Sequence, residues 1–185
     1  MFKCSEIIGL PVINLSKGEK IGYVKDILII SDTKKIKAFV IHSRNLFSKS
    51  KAILSEDIVQ VGKNAVLIRD EEKFVAVQEL LSSPNIRSYK EGLVNQPIYT
   101  DSGVDLGVVQ DAIFNFEIGQ LHEIEISDGV IQDLMEGRKF IPVSESLQLE
   151  QGIVIVESEK THNIRDNGKG IKKYIVKGSN ENEKK

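Results

Sequence analysis

Apolar residues along this chain recur in short alternating runs, each closed by a cluster of Gly, Asp, Ser, Asn or Lys. "YVKDILII" (23–30), "IKAFVIHS" (36–43), "AILSEDI" (52–58) and "AVLIRD" (65–70) occupy the first half. "VVQDAIFNF" (108–116), "LHEIEISD" (121–128), "FIPVSES" (140–146) and "IVIVES" (153–158) occupy the second. Runs of this length and period, bounded by turn residues, predict β-strands of a small sandwich or barrel. Between the halves "EEKFVAVQELLSSPNIRSYK" changes period. Phe74, Val77, Leu80 and Leu81 have the spacing of a short amphipathic helix, and "SSPN" stops it.

The two halves repeat one phrase. "GEKIGYVKD" (18–26) and "GVDLGVVQD" (103–111) place Gly18, Gly22, Val24 and Asp26 on Gly103, Gly107, Val109 and Asp111 at a constant offset of 85. Upstream, "LPVINLSKG" matches "NQPIYTDSG" at the same offset, and downstream "IKAFVIHS" matches "LHEIEISD". An insertion of three residues then raises the offset to 88 for "AILSEDIVQVGKNAVLIRDE" against "FIPVSESLQLEQGIVIVESE". Two copies are too few for a solenoid. The organisation read from this is all-β: two homologous small antiparallel barrels over residues 1–72 and 91–159, a linker with a short helix over 73–90, and a tail over 160–185. "SKG" and "DSG" read as three-residue hairpin loops in which Gly18 and Gly103 take a left-handed backbone. Gly22 and Gly107 lie within strands, where glycine marks a bulge, a bend or close approach of another backbone.

Composition narrows the class. The chain has 185 residues, 41% of them hydrophobic and 28% charged, as in soluble globular proteins. No apolar run approaches the roughly 20 residues of a membrane span, and the N-terminus lacks a secretory signal pattern, so a cytoplasmic location is expected. Cys4 is the only cysteine, which excludes an internal disulfide. The net charge of −2 divides unevenly: eight basic and three acidic residues from Lys160 onward give the tail +5 and leave −7 on the rest. An acidic body argues against a broad phosphate-binding face. The last eight or so residues are expected to be disordered.

The order of hairpin, G-x-x-[IL]-G-x-V-x-D, long strand, third strand, "AILSEDI" or "FIPVSES" and closing strand resembles the PRC-barrel domain, in both copies over nearly their full length. That family takes its name from the cytoplasmic domain of the photosynthetic reaction centre H subunit, and it supplies the C-terminal domain of a bacterial ribosome maturation factor. The whole chain is similar to tandem PRC-barrel proteins of Gram-positive bacteria. The resemblance implies a docking or assembly module without shared catalytic residues. The sequence shows no counterpart of the reaction-centre membrane anchor or of the ribosome factor's separate N-terminal domain.

Candidate chemistry is sparse. Asp26 and Asp111 would form a carboxylate pair if the barrels faced each other, but no nucleophile or base repeats with them. The alternative is that each accepts backbone hydrogen bonds near a bend, which makes them structural. His42, His122 and His162 are isolated, and Cys4 has only Lys3 beside it to favour a thiolate. "GKN" and "DNGKGIKK" lack the P-loop pattern. No enzyme activity, cofactor or metal is expected. In the tail, Lys169, Lys172, Lys173 and Lys177 with Tyr174 have the composition for binding RNA phosphates and stacking a base; with Ile171 and Ile175 they also suit an anionic membrane surface.

One difference between the copies stands out. Phe39 and Ile41, like Ile124 and Ile126, face the barrel interior by alternation, while the opposite face holds Ala38 and Val40 in the first copy and Glu123 and Glu125 in the second. Val40, Leu46 and Phe47 are therefore expected to form an apolar surface covered by the second barrel, by the linker around Phe74 and Leu81, or by a partner chain. These features favour a non-catalytic adaptor, monomeric or homodimeric, that docks a protein partner. The alternative is an RNA- or ribosome-associated factor working through the basic tail.

Overall fold

The computed structural model describes residues 1–43, 50–69, 73–129 and 138–166. The first half opens with β1 (Phe2–Lys3) and α1 (Cys4–Ile7), followed by β2 (Pro11–Asn14), β3 (Glu19–Ile30), β4 (Lys35–Ser43), β5 (Lys51–Leu54), β6 (Ile58–Val61) and β7 (Val66–Ile68). The linker contributes β8 (Val75–Ala76) and α2 (Val77–Leu81). The second half then repeats the series as β9 (Ile86–Ser88), α3 (Tyr89–Gly92), β10 (Pro97–Thr100), β11 (Asp105–Asn115), β12 (Gln120–Ser127), β13 (Lys139–Pro142), β14 (Gln148–Glu150) and β15 (Ile153–Val156), ending in β16 (Arg165–Asp166).

The all-β reading holds, and the register reproduces the repeat pair by pair. Asp26 stands opposite Val40 and Asp111 opposite Glu125, each just after a bulge at Lys25 or Gln110. Ala52 pairs with Val40 and Phe140 with Glu125, as the offset of 88 requires. One segment departs from the constant offset. Val12 pairs with Gly22 while Ile98 pairs with Gly107, so the first strands correspond at 86 rather than 85. The reason is the hairpin. In the first copy the turn from Asn14 to Glu19 takes four residues, and the Asn14 side-chain oxygen accepts from the amides of Ser16 and Lys17. In the second copy Thr100 pairs with Val104 across only three residues. The expected three-residue loop is thus correct for "DSG" alone, although Gly18 and Gly103 both have the left-handed φ, at 67° and 84°.

The copies do not fold side by side as separate barrels. β1 of the first copy pairs with β11 of the second, Phe2 opposite Phe114, and β9 of the second pairs with β3 of the first, Arg87 opposite Ile29. Phe2 and Arg87, like Ile29 and Phe114, are 85 positions apart, so the exchange is reciprocal about a local two-fold axis. The axis also relates two hydrogen bonds that fuse the sheets between β4 and β12: Ile36 N–H to Gly119 O and Leu121 N–H to Lys34 O. Lys34 and Gly119 share a left-handed φ, 56° and 64°. One apolar core runs through both copies. Phe39 and Phe114 meet in it edge to face with ring centres 6.3 Å apart, and each contributes about 2–3 kcal/mol of burial.

The linker does two things that its apolar spacing did not separate. Phe74 precedes the helix and packs on the shared core, while Val77 and Leu80 pack on a smaller cluster of Leu28, Ala38, Val40 and Ala52. Leu81 is exposed. The rest of the linker is the exchanged strand β9.

Candidate functional site

The repeated signature is concentrated at the join. Gly22 and Gly107 sit where the neighbouring strand passes too close for a side chain: a Cβ would lie 2.3 Å from His42 O and 2.2 Å from Ser127 O. Those approaches draw β3 onto β4 and β11 onto β12 tightly enough to curl each sheet. The bulges at Lys25 and Gln110 then turn the following aspartates out of strict alternation and toward the other copy.

Asp26 holds the N-terminal end of α3. It accepts from the Ser88 hydroxyl and from the Lys90 amide at 3.1 Å, as well as from the Ile27 amide at 2.8 Å. Asp111 does the same for α1 across the axis, accepting from the Ser5 hydroxyl, from the Ser5 amide at 3.2 Å and from the Ala112 amide at 2.8 Å. It has one further partner, the Tyr89 hydroxyl at 2.6 Å. Each copy's aspartate therefore anchors the other copy's opening turn. Burial, and then the hydrogen bond and charge of Asp111, push the Tyr89 phenol far above its usual range. Cys4, the residue equivalent to Tyr89, is fully buried, and burial together with the charges of Asp111 and Asp26 raises its thiol pKa. A buried thiol held protonated is a core residue and not a nucleophile.

Ser5, Ser88 and Tyr89 were not singled out from the sequence. One signal was present: "SYKE" at 88–91 is a capping-box pattern, and the Ser88 hydroxyl accepts from the Glu91 amide at 2.9 Å.

The second feature is the outer face of β4 and β12. In the first copy Val40 is 4% exposed and lies with Leu28, Ala38 and Ala52 under Val75, Val77, Leu80 and Ile86. Of the three expected covers, the linker is the one found, so Val40 offers no exposed docking surface. Leu46 and Phe47 lie outside the described residues. In the second copy the same face is ionic. Glu125, 1% exposed, pairs with Lys3 and with Arg138 Nη1 at 2.7 Å, and Glu123 pairs with Arg165. β16 enters this face on β13 just as β8 enters the first face on β5.

The remaining candidates are dispersed. His42 pairs opposite Tyr23 in the sheet, and His122 and His162 are exposed. Among the described residues no three His, Cys, Asp or Glu side chains gather in a metal-binding group, and no helix is long and apolar enough to cross a membrane. Lys169, Lys172, Lys173, Lys177 and the expected disordered end lie outside the described residues.

The family model of the PRC-barrel domain matches residues 1–74 and again residues 88–162. Among curated proteins none matches the chain.

Proposed function

The chain belongs to the PRC-barrel domain family, with two copies of the domain, and from that premise we propose that it is a non-catalytic cytoplasmic adaptor that docks a protein partner through its fused barrels. The observation that carries this reading is the engagement of the repeated carboxylates. Asp26 and Asp111, the carboxylates of the repeated signature, hold helix ends across the join with their oxygens occupied by hydroxyls and amides. Polar chemistry of that kind rigidifies a scaffold. The copies differ instead on their outer surfaces, where partner recognition takes place. Ribosome assembly, the inner membrane face and a cell-envelope or sporulation process are the settings in which such an adaptor fits.

A second reading has its own support in the charge division of the sequence, +5 from Lys160 onward against −7 before it. In it the tail binds RNA and the barrels serve as scaffold. Gradient fractionation of a lysate, with the wild type and with Lys169, Lys172, Lys173 and Lys177 all changed to Ala, separates the two. The adaptor reading expects cosedimentation with a larger particle that survives nuclease, moderate salt and the tail substitutions. Cosedimentation lost under all three treatments contradicts it and favours RNA binding, whose affinity falls steeply with salt.

A further inference from the structure

The local two-fold axis generates two equivalent clefts between a sheet edge and the opening segment of a copy, and among the described residues the chain fills only one. At the β14 edge Arg87 Nε donates to Leu149 O at 3.1 Å, and Lys34 Nζ donates to Glu145 O at 2.9 Å. The corresponding cleft at the β6 edge has Phe2 in the place of Arg87 and Gly119 in the place of Lys34, so both cationic side chains are missing. It has a volume of about 640 Å3 and is lined by Phe2, Val59, Val61, Asn115, Phe116 and Glu117, among others.

The backbone there is presented in the same way as in the filled cleft. Among the described residues β6 ends the sheet order and pairs with β7 alone. Gly62 N–H donates to Ala65 O at 2.9 Å, so the next pair, Val61 with Val66, is a non-hydrogen-bonded pair of the ladder. The N–H and C=O of Val61 accordingly point to the free edge, as does the Leu149 carbonyl that Arg87 caps. Val59 beside it is 44% exposed. Two phenylalanine rings, a carboxylate and an outward carbonyl suit a planar cation that stacks on aromatic groups and donates in several directions; guanidinium meets those needs better than ammonium.

We propose that the β6 cleft receives an arginine side chain carried by an extended segment of a partner protein, which pairs its backbone with β6 as Arg87 occupies the β14 cleft from within the chain. An unpaired edge strand is a ready template for such a segment. The proposal rests on the docking reading above and names the chemistry of the partner.

The test uses the full chain and two tripeptides, acetyl-Val-Arg-Val-amide and its citrulline counterpart, followed by backbone NMR. The arginine peptide is expected to shift the amides of Val59 to Val61 and Asn115 to Glu117 saturably, with the neutral citrulline peptide binding about tenfold more weakly because the charge-assisted bonds are lost. Glu117→Gln should weaken the arginine peptide about fivefold for the same reason. Gly119→Lys copies Lys34 at a position that already has the matching φ, and it should compete with the peptide in a protein that stays folded, with a modestly lower melting temperature because a side chain replaces glycine at a left-handed φ. Equal binding of the two peptides, shifts spread over the acidic surface, or no saturable binding overturns the proposal. Unaltered binding in both folded variants overturns it as well. If the peptides fail while salt-resistant cosedimentation persists, docking occurs through another face and only the arginine site falls.

Discussion

Val40 and Glu125 occupy the same place in their copies, each opposite a signature aspartate, yet one is sealed under hydrocarbon and the other is clamped by Lys3 and Arg138. The substitutions around them are concerted. Where the first copy's outer face has Ala38, Val75, Ser50 and the exchanged Ser88, the second copy's has Glu123, Arg165, Arg138 and the exchanged Lys3, so each added carboxylate has an added cation beside it. Backbone register, bulges and the aspartate anchors are common to both. The comparison teaches that the join is what two copies of this domain must share, and that the outer face is free to change once every member of it changes together.

The common part predicts the largest effects. Gly107→Ala should cost about 4 kcal/mol, combining collision with the Ser127 carbonyl and a left-handed φ of 104°, and Gly22→Ala about 3 kcal/mol from collision alone. Urea denaturation checks both, and equal costs would show that φ contributes nothing at Gly107. Exchange of the divergent residues comes next. Val40→Glu should lower stability by about 3 kcal/mol, because it would bury a carboxylate among Leu28, Ala38 and Ala52, whereas Glu125→Val should change it by no more than about 1 kcal/mol, since Lys3 and Arg138 remain partly solvated. Similar losses from the two would mean that the faces are not equivalent after all.

Much of this was legible in the sequence and some was not. The offset of 85 located the shared glycines and aspartates and the first turns, and alternation placed Phe39, Ile41, Ile124 and Ile126 in the core. The exchange was invisible because the segments that cross over, "MFKCSEIIGL" and "IRSYKEGLVNQ", share almost no side chains; they are alike only in backbone path and in what they bond to. Local pattern specifies a strand, but it does not say which of two equivalent edges the strand will join. The role of the aspartates was likewise half-legible. Their backbone bonding was foreseen, but not that each reaches into the other copy. The fate of Val40 was settled by Val75, Val77 and Leu80, whose helix-like spacing predicted an apolar face but not its target.

Smaller effects sharpen the comparison at the join itself. Asp111 is buried and has the Tyr89 hydroxyl in addition to the contacts that it shares with Asp26, which is only half-buried. Asp111→Asn should therefore cost about 2–3 kcal/mol and Asp26→Asn about 1 kcal/mol in chemical denaturation. The reverse order would undo the assignment. Alkaline pH acts on the same place. Cys4 and Tyr89 both have pKa values raised in the folded protein, so the folded state keeps protons that the unfolded chain releases. The stability they contribute is complete below the unfolded thiol value of about 8.5 and declines as pH rises beyond it. Melting temperature should fall above that pH, and Cys4→Ala should flatten the first part of the decline.

The claim on which the rest depends is that exchanged opening segments make the two copies one cooperative body. Urea unfolding of Ile124→Ala, followed residue by residue by NMR, tests it most directly. Ile124 is fully buried in the second copy, and its truncation should remove about 2–5 kcal/mol. The account predicts that Val12, Val24 and Ile53 in the first copy lose their folded signals at the same lowered urea concentration as Ile98, Val109 and Ile141 in the second. A first copy that keeps the wild-type midpoint while the second unfolds early would contradict it.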